Sequence, residues 1–219
     1  LVAHGGRPLE VPVVIDALWP SLDANAPRAS MSMAVTRLRR LLGAPTAVRL
    51  AEGRLSLDTR QVWTDVAAFE AQADAAERGD VSAALAAIDL YRDALLGCEP
   101  LGGRLLARRQ QLALRFGLLA QAAGSALLAQ GQAVQACRLY QRALCRDPLS
   151  EPLHRALIGT QIGLGERAEA LRSFQRCHDI LQALLGVAPA PATLALVQQA
   201  RSVAGVPEAW RMSNVRLQT

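Results

Sequence analysis

From Asp65 to about residue 204 the chain reads as one amphipathic helical segment after another, with no alternating strand pattern between them. That succession restricts this part to an array of packed helices. The spacing predicts helices at about 65–78, 81–96, 103–130, 132–146, 150–164, 167–185 and 191–204. The breaks are turn-like: Gly79-Asp80, Gly97 to Gly103, Gly131, Asp147-Pro148, Gly163 to Gly165, and Gly186 to Pro191. Hydrophobic residues make up 51% of the 219 positions but aromatics only 4%, so the core is built from Leu, Ala and Val, a composition that favours helices.

Within the array, residues 132–148 are expected to pair with 149–166, and 167–186 to follow. Small residues at Ala133, Ala136, Ala143, Ala168 and Ala170 let helices approach closely, and Ala136 and Ala170 stand 34 residues apart, the tetratricopeptide period. Ser150, followed by Glu151 after Pro148, is placed to cap a helix. The tail from Gly205 to Thr219 has no clear period.

The first 64 residues are different. Gly5, Gly6 and Pro8 predict a turn; Val11–Trp19 predicts a short apolar helix with Pro12 in its first turn and Pro20 at its end. Ser21–Pro27 reads as loop, and Arg28–Leu42 as a helix stopped by Gly43 and Pro45. Val48 and Leu50, then Leu55 and Leu57, alternate with polar residues around Glu52-Gly53, the signal of a hairpin. Helix, helix, hairpin is the order of the back half of a winged helix. The chain opens on LVAHGGRPLE without Met, like the end of a helix running into a turn, so the protein is expected to begin earlier.

The net charge of +5 is carried by Arg, since the sequence has no Lys. Residues 28–54 hold Arg28, Arg37, Arg39, Arg40, Arg49 and Arg54 against the single acid Glu52, so the whole excess sits there and the remainder is neutral. Such a local cluster suits a phosphate-bearing partner; a solvated face is the alternative. On the 28–42 helix, Met31, Val35, Leu38 and Leu42 form one stripe flanked by Ala34 and Leu41, which is expected to be buried. The opposite face carries Ala29, Met33, Thr36 and Arg40, with Arg37 on one flank and Ser32 and Arg39 on the other. Slim side chains with arginines are what a helix entering a major groove presents, and Arg49 and Arg54 lie where a wing would reach the backbone.

Cys98, Cys137, Cys145 and Cys177 have no CxxC spacing and no His cluster, so no metal and no cofactor is expected; Cys137 and Cys145 would be small core residues on one helix face. The Glu151/His154 pair reads as a helix-end contact, Asp65, Glu70 and Asp74 as capping or solvated acids, and Tyr91 and Tyr140 as core-edge residues. With neither a nucleophile elbow nor a phosphate loop, no catalytic residue and no enzyme is expected. Apolar runs are broken by Arg, Gln or Asp and none approaches the roughly 20 residues of a membrane span, so the expectation is a soluble cytoplasmic chain without membrane contact.

GRPLEVPVVIDALWP, AVTRLRRLLG and VRLAEGRLSLD resemble the OmpR-type winged helix of SARP/AfsR-like regulators: Leu18, Trp19 and Pro20 match the close of its second helix, and Val35, Leu38, Arg39, Arg40 and Leu42 the end of its recognition helix. VWTDVAAFEA, LYRDALLG, the run from Asp147 to Arg176 and LGVAPAPATLAL are similar to the bacterial transcriptional activator domain (BTAD). The family's opening sheet and full first helix lie outside this sequence, and its usual wing Gly-Tyr is here Gly53-Arg54.

The fold class expected is mainly α: a partial winged helix-turn-helix with a β-hairpin wing over 1–64, an all-α tetratricopeptide-like repeat domain over 65–204, and a tail over 205–219. The resemblance implies a regulator that binds double-stranded DNA through Arg28, Ser32, Met33, Thr36, Arg37, Arg39, Arg40 and Arg54, places Leu18 and Trp19 in the core, and uses its repeats for homodimerisation or contact with RNA polymerase or another domain of the parent protein. The alternative is a protein–protein interaction module with a winged-helix remnant that does not bind DNA.

Overall fold

The computed structural model describes residues 1–19, 26–97 and 101–202, with side chains in the second stretch from Ala29 onward. Its contacts divide the chain into two compact units, Leu1–Leu119 and Ala120–Thr219.

The first unit opens with a turn of 3-10 helix, Val2–His4, and then Gly5 in the left-handed region (φ 62°), where a Cβ would also overlap the Glu70 carboxylate. A two-residue strand β1 (Leu9–Glu10) leads directly into helix α1 (Val11–Leu18). Helix α2 spans Ala26–Leu41, so Ala26 and Pro27, expected in a loop, form its first turn; Pro20 and residues 21–25 lie outside the described residues. Strands β2 (Val48–Ala51) and β3 (Arg54–Leu57) form the expected hairpin, with Leu50 opposite Leu55 and Ala51 opposite Arg54. Glu52 (φ 51°) and Gly53 (φ 72°) are both left-handed, the pattern of a two-residue turn that follows the natural strand twist.

β1 pairs antiparallel with β3, giving a three-stranded sheet of order β1-β3-β2. Sequence pattern alone does not reveal β1, because two residues are too few to show alternation. Met31 and Val35 of α2 pack with Val48, Leu55 and Leu57 of the sheet, and Val11, Val14, Ile15 and Trp19 close over them.

Helices α3 (Asp65–Glu77) and α4 (Val81–Leu90) pack as a pair. Each has a side-chain cap: Thr64 Oγ1 accepts from Ala67 N–H at 3.2 Å, and Asp80 from Ala83 N–H at 3.1 Å. α4 stops at Leu90, short of the expected 96, because Tyr91 leaves the helix and stacks on Phe116 (4.3 Å between centroids) beside Phe69. Of Asp65, Glu70 and Asp74 on α3, only Asp65 stays at the helix start. Glu70 is buried and pairs with Arg108 at 2.5 Å, and Asp74 pairs with Arg115 at 2.5 Å, so both bind the long helix α5 (Gly103–Ala129) instead of being solvated.

The second unit takes the rest of α5 and then α6 (Ala133–Leu144), α7 (Glu151–Gly163), α8 (Arg167–Leu185) and α9 (Pro191–Ser202). α6 packs on α7, α7 on α8, and α9 against both α7 and α8. Ala136 and Ala170, one repeat apart, are both buried, and the turns before their helices each use a left-handed glycine, Gly131 and Gly165. Ser150 occupies the cap position of α7, but its side chain makes no capping bond. Tyr140 is fully buried, not at the core edge. Cys137 and Cys177 are buried, but Cys145 lies past the end of α6 and is exposed, against the expectation of two core cysteines; Cys98 lies outside the described residues.

α5 corrects one reading of the sequence: a window of this helix is long and apolar enough, by length and composition, to cross a membrane, and 44% of that window is buried within the fold. Its apolar positions include Leu112, Phe116, Leu119, Ala120, Ala123 and Leu127, all buried.

Candidate nucleic-acid interface

α2 and the hairpin β2–β3 bring most of the basic cluster onto one small unit. The first two turns of the α2 stripe are buried, but Leu38 and Leu42 are exposed, and Leu41 is 84% exposed, so the expectation of a fully buried stripe fails beyond Val35. The sheet core and α1 cover the helix only as far as Met31 and Val35. Leu18, expected in the core, is likewise exposed, while Trp19 is partly buried against the core.

The arginines separate by what they touch. Arg39 donates from Nε (2.9 Å) and from a terminal nitrogen (2.7 Å) to the backbone carbonyl of Val48, a two-point tie between α2 and β2. Arg49 binds the Asp58 carboxylate, which Arg60 also engages at 3.1 Å through side chain and backbone. The hydrogen bonds from Arg60, reinforced by the charge of Arg49, hold the Asp58 carboxyl well below the usual carboxylate range. Arg37 and Arg40 on α2 and Arg54 on β3 are exposed, and none has a carboxylate partner among the described residues. The Arg28 side chain lies outside the described residues.

Ser32, Met33 and Thr36 are exposed, and the Thr36 hydroxyl donates to the Ser32 carbonyl at 2.9 Å, so its oxygen can still act as an acceptor. The helix thus presents short side chains between Arg37 and Arg40, and the hairpin presents Arg54 beside its tip. Sequence reasoning counted Arg39 and Arg49 with the rest; their neutral and acidic partners, the Val48 carbonyl and Asp58, lie nine residues further along and are brought in only by folding.

The other candidates form no site. Glu151 accepts from Ala190 N–H (2.8 Å) and Thr193 Oγ1 (2.5 Å), and so ties the start of α7 to the start of α9, while His154 Nε2 bonds the Pro148 carbonyl at 2.9 Å. Glu151 and His154 do not bond each other among the described residues. No three His, Cys, Asp or Glu cluster as metal ligands among the described residues.

A three-stranded sheet with a hairpin wing and a preceding helix, followed by stacked helix pairs, defines a winged-helix unit joined to tetratricopeptide-like repeats. The description "Bacterial transcriptional activator domain" matches residues 64–201, and the chain belongs to that family. Among solved structures it is similar to "Mycobacterium tuberculosis EmbR in complex with low affinity phosphopeptide", at 24% identity and a TM-score of 0.64, over 92% of this chain. It spans 56% of the length of that chain. No curated protein matches the sequence. The SARP-like combination read from the motifs, winged helix and then BTAD, therefore stands.

Proposed function

We propose that the chain is a DNA-binding transcription regulator in which α2 enters a major groove and the β2–β3 hairpin lies along the neighbouring backbone. The observation that carries this reading is the group of three exposed arginines, Arg37, Arg40 and Arg54, without acidic partners on α2 and the β2–β3 hairpin, where Arg39 and Arg49 are held by the Val48 carbonyl and Asp58. Arg37 and Arg40 contact bases or phosphates; Ser32, Met33 and Thr36 are slim enough to let the helix approach base edges; Arg54 meets a phosphate from the wing. Arg39 sets the angle of α2 on β2, and Arg28 is a further proposed DNA contact on the strength of the sequence.

Residues 1–64 are the DNA-reading part and 65–204 the repeat part, which serves dimerisation or contact with RNA polymerase or a further domain. The protein works in the cytoplasm, without membrane contact and without catalysis.

The test titrates the full chain into random-sequence duplex DNA at two salt concentrations, beside an Arg37→Ala/Arg40→Ala/Arg54→Ala variant. Three phosphate contacts give a log–log salt slope of about −3, and the variant loses that slope together with binding. A folded wild-type chain that binds no DNA, or a variant that binds as tightly as wild type, overturns the reading.

A further inference from the structure

A cavity of about 370 Å³ lies within the second unit, lined by Gln141, Leu144, Cys145 and Pro148, by His154 and Leu157 of α7, and by Ser173, Arg176 and Ile180 of α8. The DNA reading uses none of these residues. A cavity of this size is within the range that holds a small organic molecule, and its wall follows the pattern of such sites: an apolar lining with a few polar groups.

Two of those polar groups are incompletely satisfied. His154 is only 4% exposed. Its Nε2 faces the Pro148 carbonyl at 2.9 Å, and a carbonyl only accepts, so Nε2 carries the hydrogen. Burial lowers the pKa of the ring and keeps it neutral, which leaves Nδ1 as a bare acceptor. Nδ1 is buried and has no hydrogen-bond partner. An unpaired buried acceptor costs about 1–3 kcal/mol, and native proteins rarely leave one empty. The second group is Arg176. One of its terminal nitrogens donates to the buried Ser173 hydroxyl at 3.1 Å, which fixes the guanidinium at the cavity wall. It forms no ion pair among the described residues, so its charge is available to an anion.

From this pairing we propose that the cavity between α7 and α8 is a binding site for a small carboxylic acid that also carries a hydrogen-bond donor. The carboxylate pairs with Arg176, the donor reaches Nδ1 of His154, and an apolar body lies on Leu144, Pro148, Leu157 and Ile180. The dianion of a phosphate monoester would satisfy the arginine, but its phosphoryl group has no hydrogen to donate to His154, and a purely apolar guest would leave both groups unpaired. The site is independent of the DNA reading and stands or falls without it.

The test uses the full chain and two acids with a donor, 4-hydroxyphenylacetate and indole-3-acetate, in isothermal titration calorimetry at millimolar ligand. Phenylacetate lacks the donor and 4-hydroxybenzyl alcohol lacks the carboxylate. The expected result is binding of at least one donor acid, weakened about tenfold in each comparison compound, the discrimination that one lost charge-assisted or buried hydrogen bond gives. Arg176→Gln, a change at an exposed position, is expected to abolish the preference for acid over alcohol without changing Tm. Nitrogen NMR of the histidine ring adds a direct readout, a shift of the His154 Nδ1 resonance on addition of the donor acid and none with phenylacetate. Failure of both donor acids to bind, equal binding of acid and alcohol, or an unmoved His154 resonance on binding overturns the proposal. Because the ligand comparison needs no variant, it decides the matter even where Arg176→Gln proves unstable.

Discussion

Arg37 and Arg39 stand two positions apart on one helix, carry the same charge, and have different tasks. Arg39 is spent inside the protein, on the Val48 carbonyl, while Arg37 and Arg40 face solvent. Arg39→Ala is therefore expected to lower stability by about 1–2 kcal/mol, the usual cost of losing a hydrogen bond from a charged donor, whereas Arg37→Ala and Arg40→Ala leave the thermal midpoint unchanged. Denaturant melts of the three single variants check this directly. Asp58 supplies a second residue-scale test. Its carboxyl is held below the ordinary range by Arg60 and Arg49, so its contribution is full above the unfolded value and is lost as pH falls from about 4 toward the lower folded value. An acid titration of stability should show that loss in the wild-type chain and show it reduced in Asp58→Asn.

At the scale of elements, two contacts in the repeat unit carry distinct predictions. Gly124 of α5 lies against Tyr140 so closely that a Cβ would overlap the ring, and Tyr140 is fully buried and cannot swing away. Ala is a better helix former than Gly by about 1 kcal/mol, but the overlap outweighs it, and Gly124→Ala is expected to destabilise by about 1–2 kcal/mol in a thermal melt. Glu151→Ala strands the Ala190 N–H and the buried Thr193 hydroxyl, and should cost about 2–3 kcal/mol with the loss centred on α9, as hydrogen exchange would report. The helices themselves were legible because their period and their glycine breaks are local: Gly131, Gly165 and Gly186 all turn where expected. β1 was not legible, since its pairing with Leu55 and Arg54 is set across more than forty residues. The end of α4 was missed for a related reason. Residues 91–96 have helical composition, and the partner that draws Tyr91 away, Phe116, is on another element.

For the whole molecule, the charge excess of +5 is confined to residues 28–54, so the chain behaves toward a polyanion as a neutral body with one basic patch. At the candidate interface the residue types were legible from composition, but which arginines remain available was not, because that depends on carbonyls and carboxylates that only the tertiary fold supplies. One of those internal ties has a further consequence. β2 is at the margin of the sheet, in the order β1-β3-β2. Leu57 directs its N–H to the Gly6 carbonyl, away from β2, so Val48 opposite it turns its own carbonyl outward, and Arg39 covers that oxygen with two donors. An extended segment from another molecule seeking to lengthen the sheet would have to displace a guanidinium first. A chain lacking this side chain is expected to form β-rich aggregates through that open margin at concentrations where the native one remains dispersed, which light scattering would report.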